Sequence, residues 1–247
     1  MVGVPHRADA NWLEPLTVLA FVAGQTKTIR LGTGIVIAAL RGGAVLAKTA
    51  ATLDLLSGGR LDLGVGTGWQ EREYEAAGMD FGKRGPLLDD ALAVCRALWS
   101  SAPASIDTPR LKFDDVYCAP RPAAGIPIWV SGSLSKAVVR RVATWGDGWI
   151  PIMGAADDDL REGIDVIGKA MADLGRDPAE LQVRGRLTVV RGSDGSIDLP
   201  ATMIGAEQLL ESGATDVLVA LAAVDPDPDA AMAEFGELVA AFAKVTR

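Results

Sequence analysis

The stretch that decides the fold is residues 43–69, which read GAVLAKTAATLDLLSGGRLDLGVGTGW. Its first part carries apolar residues at helical spacing, and Gly58 and Gly59 then supply a left-handed stop. Residues 61–65 form a short apolar run that predicts a buried strand. The glycines that follow let a backbone approach a ligand closely, and they are Gly64, Gly66 and Gly68. The stretch therefore predicts a helix, a strand and a ligand-binding loop, an arrangement typical of an enzyme.

The same succession of strand, loop and helix continues along the chain and predicts a parallel sheet covered by helices. Strands are predicted over residues 29–37, 61–66, 126–130, 148–152, 181–190 and 216–222. Helices are predicted over residues 15–25, 44–56, 87–99, 135–144, 158–174, 201–212 and 228–245. Residues 100–125 are rich in proline and predict an excursion or a short hairpin. No linker divides the chain, so we expect a single α/β domain over residues 1–247.

Composition excludes several classes of function. The 247 residues include 24 Lys and Arg against 32 Asp and Glu, which gives a net charge of −8. This balance does not indicate the basic surface that nucleic-acid binding needs. No apolar run approaches the length of a membrane span and no leader is present, so we expect a cytoplasmic protein without a membrane partner. His6 is the only histidine, and Cys95 and Cys118 lack the spacing of metal ligands, so no metal site is expected. Cys95 lies on an apolar helix face and is expected in the core.

Three loops at predicted strand ends could hold a cofactor. Thr33, Gly34 and Ile35 form the first, for which a simple strand bulge is the alternative. Gly66, Thr67 and Gly68 form the second, which also resembles the first motif of S-adenosylmethionine methyltransferases, although the second strand of that fold is missing from residues 78–85. Ser131, Gly132, Ser133 and Leu134 form the third, where backbone amides at a helix start could receive a phosphate. Ser133 or Ser135 could equally be an ordinary helix N-cap.

Four segments in order, LGTGIVI, AKTAATLDLLSGGRLDLGVGTGW, FGKRG and IPIWVSGS…GDGWIP, resemble the bacterial luciferase-like monooxygenase family. The closest resemblance is to its coenzyme F420-dependent oxidoreductases. The resemblance implies a TIM barrel whose excursion corresponds to residues 100–125. It also implies a cofactor at the strand ends, held by a cis peptide at Gly34–Ile35, by residues 66–68 beside its ring, and by residues 131–134 at its phosphate.

The resemblance implies a flavin or deazaflavin oxidoreductase, with coenzyme F420 transferring hydride to or from a small organic substrate. An FMN-dependent monooxygenase of the same family is the alternative. Some members have a catalytic Glu directly after the second loop, where this chain has Trp69, which cannot transfer protons. We expect Trp69 to line an apolar substrate pocket or merely to pack. Glu71 is a second candidate substrate contact, although Glu71 and Glu73 at a helix start could simply be solvated.

Family members place a strand, a helix and a second strand with an Asp-His or Glu-His pair ahead of the region matched here. The chain thus matches about six of the eight strands of a barrel. His6 does not match the family histidine, so the catalytic residues stay unknown. We favour a start assigned to an internal methionine, with impaired activity of the chain as given; a naturally truncated, non-catalytic cofactor-binding protein is the alternative. Exposed strand edges at residues 29–37 and 216–222 would favour a homodimer.

Overall fold

The computed structural model describes residues 13–152, 157–225 and 227–245. The chain divides into two compact units, Met1–Pro127 and Ile128–Arg247. Each unit contains both parallel strands and helices. Within the described ranges no helix is both long and apolar enough to cross a membrane.

Three parallel strands form the sheet of the first unit. β1 (Leu31–Gly32) and β2 (Val36–Ile37) each pair with β3 (Leu61–Gly66). The single strand predicted over residues 29–37 is therefore wrong in its middle. There the chain leaves the ladder, and the Thr33 hydroxyl donates instead to the carbonyl of Gly64 at 2.7 Å. The Gly34–Ile35 peptide is cis, as the resemblance implied.

From residue 13 onward the first unit also has four α-helices: α1 (Pro15–Gln25), α2 (Gly43–Ser57), α3 (Glu71–Ala76) and α4 (Arg84–Ser100). α2 and α4 pack at a distance that only glycine permits, because a Cβ on Gly43 would lie 2.5 Å from the Cβ of Val94. The indole nitrogen of Trp99 donates to the carbonyl of Ala47 at 3.0 Å and joins the same two helices. Cys95 is fully buried in this contact, which confirms its predicted place in the core.

An antiparallel hairpin follows α4. Its strands are β4 (Ala104–Asp107) and β5 (Lys112–Val116), and they confirm the excursion predicted over residues 100–125. Arg110 at the turn donates through Nε and Nη2 to both carboxylate oxygens of Asp90, at 2.9 and 2.8 Å. This two-point contact fastens the tip of the hairpin to α4.

Arg60 organises the start of the sheet from a buried position. Its guanidinium donates to the carbonyls of Ala23, Thr26, Ile29 and Ser57 at 2.6–3.1 Å, and to the hydroxyl of Thr26 at 2.9 Å. These acceptors belong to the ends of α1 and α2 and to the chain that enters β1. One side chain therefore satisfies the last carbonyls of two helices, which would otherwise be buried without donors.

The second unit continues the alternation of strands and helices. Its parallel strands pair in chain order, and they are β6 (Ile128–Ser131), β7 (Gly148–Ile150), β8 (Gln182–Arg186) and β9 (Asp216–Leu218). Its helices are α5 (Lys136–Trp145), α6 (Asp157–Asp173), α7 (Leu199–Glu211), α8 (Leu221–Val224) and α9 (Pro228–Val245). The helix predicted over residues 228–245 is confirmed at both ends.

Two predicted strands of the second unit extend too far. The strand predicted over residues 181–190 pairs only as far as Arg186, after which Gly192 and Gly195 take the chain through a turn. The strand predicted over residues 216–222 ends at Leu218, and α8 begins within the same apolar run. Apolar composition alone does not separate a short buried strand from a short helix, which explains the second error.

Candidate functional site

In the first unit the two predicted cofactor loops belong to neighbouring strands: residues 33–35 directly precede β2, and residues 66–68 are at the end of β3. Val36 pairs with Val65 and Ile37 pairs with Gly66, so β2 and β3 end at the same edge of the sheet. In parallel α/β folds this edge, at the carboxyl ends of the strands, is where ligands bind. The pairing therefore brings together two stretches that are separated in sequence by the whole of α2.

The second loop is held in shape from both sides. Gly68 has φ +68°, and a Cβ at that position would lie 2.8 Å from Cδ1 of Ile37. The Tyr74 hydroxyl donates to the carbonyl of Thr67 at 2.5 Å, and its buried ring packs edge-on against Phe81 with ring centroids 5.4 Å apart. Burial raises the pKa of Tyr74, which keeps the hydroxyl protonated as a donor.

A cavity of about 570 Å³ opens beside these strand ends, and we call it the first-unit cavity. Most of its wall is apolar or backbone, contributed by Leu13, Pro15, Gly34, Ile35, Val36, Ile37 and Leu40. Two charged side chains complete the lining, Arg41 just before α2 and Glu73 on α3. A largely apolar cavity with a few convergent polar groups is the usual form of a small-molecule site.

Glu14 fixes Arg41 at the wall of this cavity. Its carboxylate caps α1 by accepting the amide hydrogens of Leu16 at 3.1 Å and Thr17 at 2.7 Å, and it also forms an ion pair with Arg41. Burial raises the pKa of Glu14, but the hydrogen bonds from Thr17 and Leu16 and the charge of Arg41 together lower it to about 2. Glu14 is therefore ionised at neutral pH and offsets the charge of Arg41 locally.

Trp69 and Glu71, the two residues predicted to contact substrate, both lie just after the second loop. Trp69 is 70% exposed, and Glu71 is an exposed residue in the first turn of α3. Neither belongs to the lining of the first-unit cavity, whereas Glu73 does. Arg41 and Glu73 are thus lining residues that sequence reasoning did not single out for a ligand.

The third predicted loop, residues 131–134, connects β6 to α5 in the second unit. Ser135 is the N-cap of α5 and accepts from the amide of Val138 at 3.4 Å, so Ser133 is not the cap. Within the described ranges no acceptor takes four amide hydrogens at this helix start, those of Ser133, Leu134, Lys136 and Ala137. The first turn of α5 has no acidic residue and begins with exposed Lys136. A cation at the positive end of a helix is unfavourable unless an anion binds there.

A cavity of about 250 Å³, the second-unit cavity, lies against this loop and is lined by Gly132, Ser133, Leu134, Trp149, Pro151, Ile152 and Asp159. The buried Trp149 holds the loop, because its indole nitrogen donates to the carbonyl of Gly132 at 2.9 Å. Gly163 on α6 makes room for that ring, since a Cβ there would lie 2.2 Å from Cζ3 of Trp149. Gly132 likewise cannot be replaced without a shift of its surroundings, since a Cβ there would lie 2.5 Å from Cγ2 of Val138.

Three other kinds of catalytic group were considered: a cysteine nucleophile, a metal site and a histidine. Burial raises the pKa of Cys95 to about 12, so this thiol is no nucleophile at neutral pH. No group of three or more His, Cys, Asp or Glu side chains that could hold a metal ion occurs in the described part of the chain. His6 lies outside the described residues.

Comparison with known proteins relates these features to one family. The sequence pattern described as luciferase-like monooxygenase matches residues 2–196. A phthiodiolone/phenolphthiodiolone dimycocerosates ketoreductase of Mycobacterium tuberculosis (strain CDC 1551 / Oshkosh) is 35% identical over 190 residues, which are 74% of this chain and 49% of that protein. The chain therefore spans about half the length of this relative.

Two solved structures share the fold. An F420-dependent secondary alcohol dehydrogenase, solved with an F420-acetone adduct, superposes with a TM-score of 0.81 at 18% identity over 96% of this chain and 86% of that one. A coenzyme F420-dependent tetrahydromethanopterin reductase from Methanopyrus kandleri gives 0.74 at 17% identity over 91% and 86%. The likeness shows an α/β fold of the TIM-barrel type, and the described parallel strands fall in all six segments that the sequence predicts.

Proposed function

We propose that this chain, which belongs to the luciferase-like monooxygenase family, binds coenzyme F420 and takes part in hydride transfer to or from a small organic substrate. The names of the related proteins support this proposal, because one relative is a ketoreductase and two proteins of the same fold use coenzyme F420. The chain spans about half the length of the ketoreductase relative. The activity of the whole protein is therefore a proposal as well.

The start of α5 is the observation that carries the proposal. Four backbone amides without an acceptor in the described ranges, together with Lys136, fit an anionic phosphate group. The hydroxyls of Ser131 and Ser133 lie in the same loop and could donate as well. Packing requires glycine at position 132, because its neighbour Val138 leaves no room for a Cβ. We therefore assign the cofactor phosphate to Ser131, Gly132, Ser133 and Leu134.

The family resemblance, and not the arrangement of the two units, is the ground for proposing that the ring of the cofactor contacts residues 33–35 and 66–68. Gly34 and Ile35 line the first-unit cavity, Thr33 precedes them, and Gly66, Thr67 and Gly68 follow at the end of the neighbouring strand β3. Backbone and apolar side chains make up most of this edge and could contact a planar ring. The buried hydrogen bonds of Thr33 and Tyr74 keep that edge rigid.

When bound, reduced deazaflavin supplies a hydride at its C5 atom, whereas FMN in this family supports insertion of oxygen. The residues of this chain would bind the cofactor and the substrate, orient them and exclude water from them. Trp69 is proposed to cover an apolar substrate, and Glu71 to lie near it. Either cofactor carries a phosphate that suits the start of α5, so FMN stays the alternative cofactor.

Titration of the purified chain with coenzyme F420 and, separately, with FMN tests the proposal. We expect quenching of cofactor fluorescence with coenzyme F420 and weaker binding of FMN. Ser131→Ala and Ser133→Ala should each weaken binding about tenfold, the order expected for a lost hydrogen bond to a charged group. Gly132→Val should weaken it further. Ser101→Ala, at an exposed serine of the first unit, is the matched control and should bind normally.

Unchanged dissociation constants in the loop variants would mean that residues 131–134 only cap a helix. Tighter binding of FMN than of coenzyme F420 would favour the monooxygenase alternative. Binding without turnover, in both this chain and an N-terminally extended form, would favour a non-catalytic cofactor-binding protein.

A further inference from the structure

The second unit has a cluster of polar and aromatic side chains on one face of its sheet. We propose that this cluster binds a carboxylate or phosphate group of a ligand, and that the guanidinium of Arg184 is the principal contact. The inference deepens the proposed function, because it adds an anion contact near Ser131. Only the source of the bound group, cofactor or separate substrate, depends on coenzyme F420.

The cluster lies on the face opposite to the one on which the helices pack. Gly185 of β8 marks the helix-packed face, because a Cβ there would lie 3.1 Å from Cδ2 of Leu209 on α7. Side chains alternate between the two faces of a strand, so Arg184 and Arg186 point to the opposite face. Asp216 of β9 is the register partner of Arg184 and lies on that face as well.

Four neighbouring strands position the guanidinium of Arg184. Trp129 of β6 and Gly148 of β7 are register partners, and a Cβ on Gly148 would lie 2.4 Å from Cε3 of Trp129. The indole therefore lies across β7, and Cζ of Arg184 is 4.5 Å from the centroid of its ring. On the other side, Asp216 accepts from Nε of Arg184 at 2.6 Å. We call Trp129, Arg184 and Asp216 the sheet-face cluster.

The sheet-face cluster has more hydrogen-bond donors than acceptors. Asp216 takes Nε of Arg184, whereas Nη1 and Nη2 have no acceptor among the residues that the structure describes. These two nitrogens form a fork that matches both oxygens of a carboxylate or phosphate. The indole nitrogen of Trp129 is buried, and it too has no acceptor within the described ranges. Buried donors without acceptors cost free energy, so a ligand group that supplies oxygen acceptors is favoured here.

Ser131 supplies a hydroxyl in the same row of the sheet. Ser131 pairs with Ile150, and Trp149 pairs with Val183, so the next step of the register puts Ile150 beside Arg184. Two strand spacings, about 10 Å, therefore separate the Cα atoms of Ser131 and Arg184. An oxyanion over Ile150 lies within reach of both side chains.

The burial of Arg184 makes it a stronger contact than a surface arginine. Its side chain is 13% exposed and is poorly screened by water, whereas Asp216 is 41% exposed and offsets only part of its charge. Exposed Arg186 adds a second cation to the same face. A carboxylate from elsewhere in the protein would compete for the fork and would prevent a free carboxylate from binding.

Benzoate and benzamide test the inference, because they have nearly the same shape and only benzoate is charged. Binding of each to the full chain is measured by ligand-observed NMR at low ionic strength, without cofactor. We expect benzoate to bind at least about tenfold more tightly than benzamide, the order expected for hydrogen bonds between charged groups.

Arg184→Met keeps a flexible side chain on the ring of Trp129 and removes the fork. It should weaken benzoate at least about tenfold and leave benzamide unchanged, and Arg184→Lys should lose part of the affinity because it keeps charge without the fork. The matched control is Arg186→Met, exposed on the same strand and face, which should weaken benzoate less than about threefold.

Asp216→Asn separates ligand binding from a structural ion pair, and it decides the matter if Arg184→Met does not fold. It removes the charge that offsets the guanidinium at nearly constant size, so benzoate should bind as tightly as to the wild type or up to about fivefold more tightly. If Arg184 only held the fold through Asp216, benzoate would bind more weakly.

Coenzyme F420 distinguishes the two sources of the bound group. A cofactor phosphate at the fork predicts that saturating coenzyme F420 displaces benzoate, and that Arg184→Met weakens the cofactor about tenfold. A separate anionic substrate predicts that benzoate still binds beside the cofactor, whose affinity Arg184→Met leaves unchanged.

Several results would overturn the inference. They are no binding of benzoate by the wild type, equal binding of benzoate and benzamide, an unchanged benzoate affinity in Arg184→Met, equal losses in the two methionine variants, or weaker binding in Asp216→Asn. Failure of the proposed function would look different, since the cofactor titration would be flat while benzoate and benzamide still reported on the sheet-face cluster.

Discussion

Replacing Gly163 by alanine should disturb the 131–134 loop through a single side chain. Gly163 lies on α6, and its added Cβ would be 2.2 Å from Cζ3 and 2.5 Å from Cη2 of Trp149. The ring has little freedom to move, because Trp149 is 2% exposed and donates to Gly132 at 2.9 Å. Relief of the overlap therefore has to move the indole, and with it the carbonyl that shapes the loop.

The size of the effect follows from three contributions. Alanine in place of glycine inside a helix stabilises by roughly 0.5–1 kcal/mol. Overpacking a filled core costs about 1–3 kcal/mol. Loss of the bond from Trp149 to Gly132 adds about 1 kcal/mol. We expect Gly163→Ala to lower the free energy of unfolding by about 1–3 kcal/mol.

The same helix supplies a matched control. A Cβ at Gly168 would lie 3.4 Å from Cβ of Pro178, an ordinary contact, so Gly168→Ala should be neutral or slightly stabilising. Urea denaturation of both variants, followed by circular dichroism, gives the comparison. In a Gly163→Ala background, Trp149→Phe should recover part of the loss, because the smaller ring leaves space for the methyl group. Equal stability of the two alanine variants, or additive losses in the double variant, would refute the contact.

Three further predictions concern the first unit. Because the pKa of Glu14 is lowered from 4.5 to about 2, its contribution to stability is present above pH 4.5 and lost as the pH falls through about 2. Glu14→Gln should cost about 1 kcal/mol at pH 7 in urea denaturation and much less at pH 2, and a constant difference would contradict this. Arg60→Met should cost about 3–5 kcal/mol in the same assay, because it leaves several buried carbonyls without a donor; a loss below about 1 kcal/mol would argue against its role. Tyr74→Phe should cost about 1 kcal/mol of stability and weaken cofactor binding by loosening the loop at Thr67. Unchanged cofactor affinity would mean that the hydrogen bond from Tyr74 to Thr67 does not support the site.

Local sequence signals were sufficient for most elements. The start of α1 follows from Glu14 and Pro15, and α2 ends at Gly58 with φ +73°, as its glycine pair predicts. The cis peptide at Gly34–Ile35 and the hairpin after α4 were also predicted, one from family resemblance and one from proline content. The helix limits and the hairpin depend on neighbouring residues, which a single sequence shows directly, whereas the cis peptide was implied by the family resemblance.

The lining of the candidate site depends on contacts that no local pattern reveals. Arg41 and Glu73 meet in one cavity because β2 pairs with β3 and both strands end at the same edge. The support of Gly132 by Trp149, and the need for Gly163 behind that ring, likewise depend on packing between separate elements. Sequence spacing assigned the acid after the second loop to Glu71, whereas the helical turn of α3 puts Glu73 at the cavity.

The absorption spectrum of the purified chain tests the central claim most directly. The chain is produced in a host that makes both coenzyme F420 and FMN, and is then separated from free cofactor by gel filtration. The account predicts that the protein fraction carries the absorption band of the deazaflavin, and that the double variant Ser131→Ala, Ser133→Ala weakens this band while leaving the circular dichroism unchanged. A flavin band in its place, or a folded protein fraction with neither band, would contradict the account.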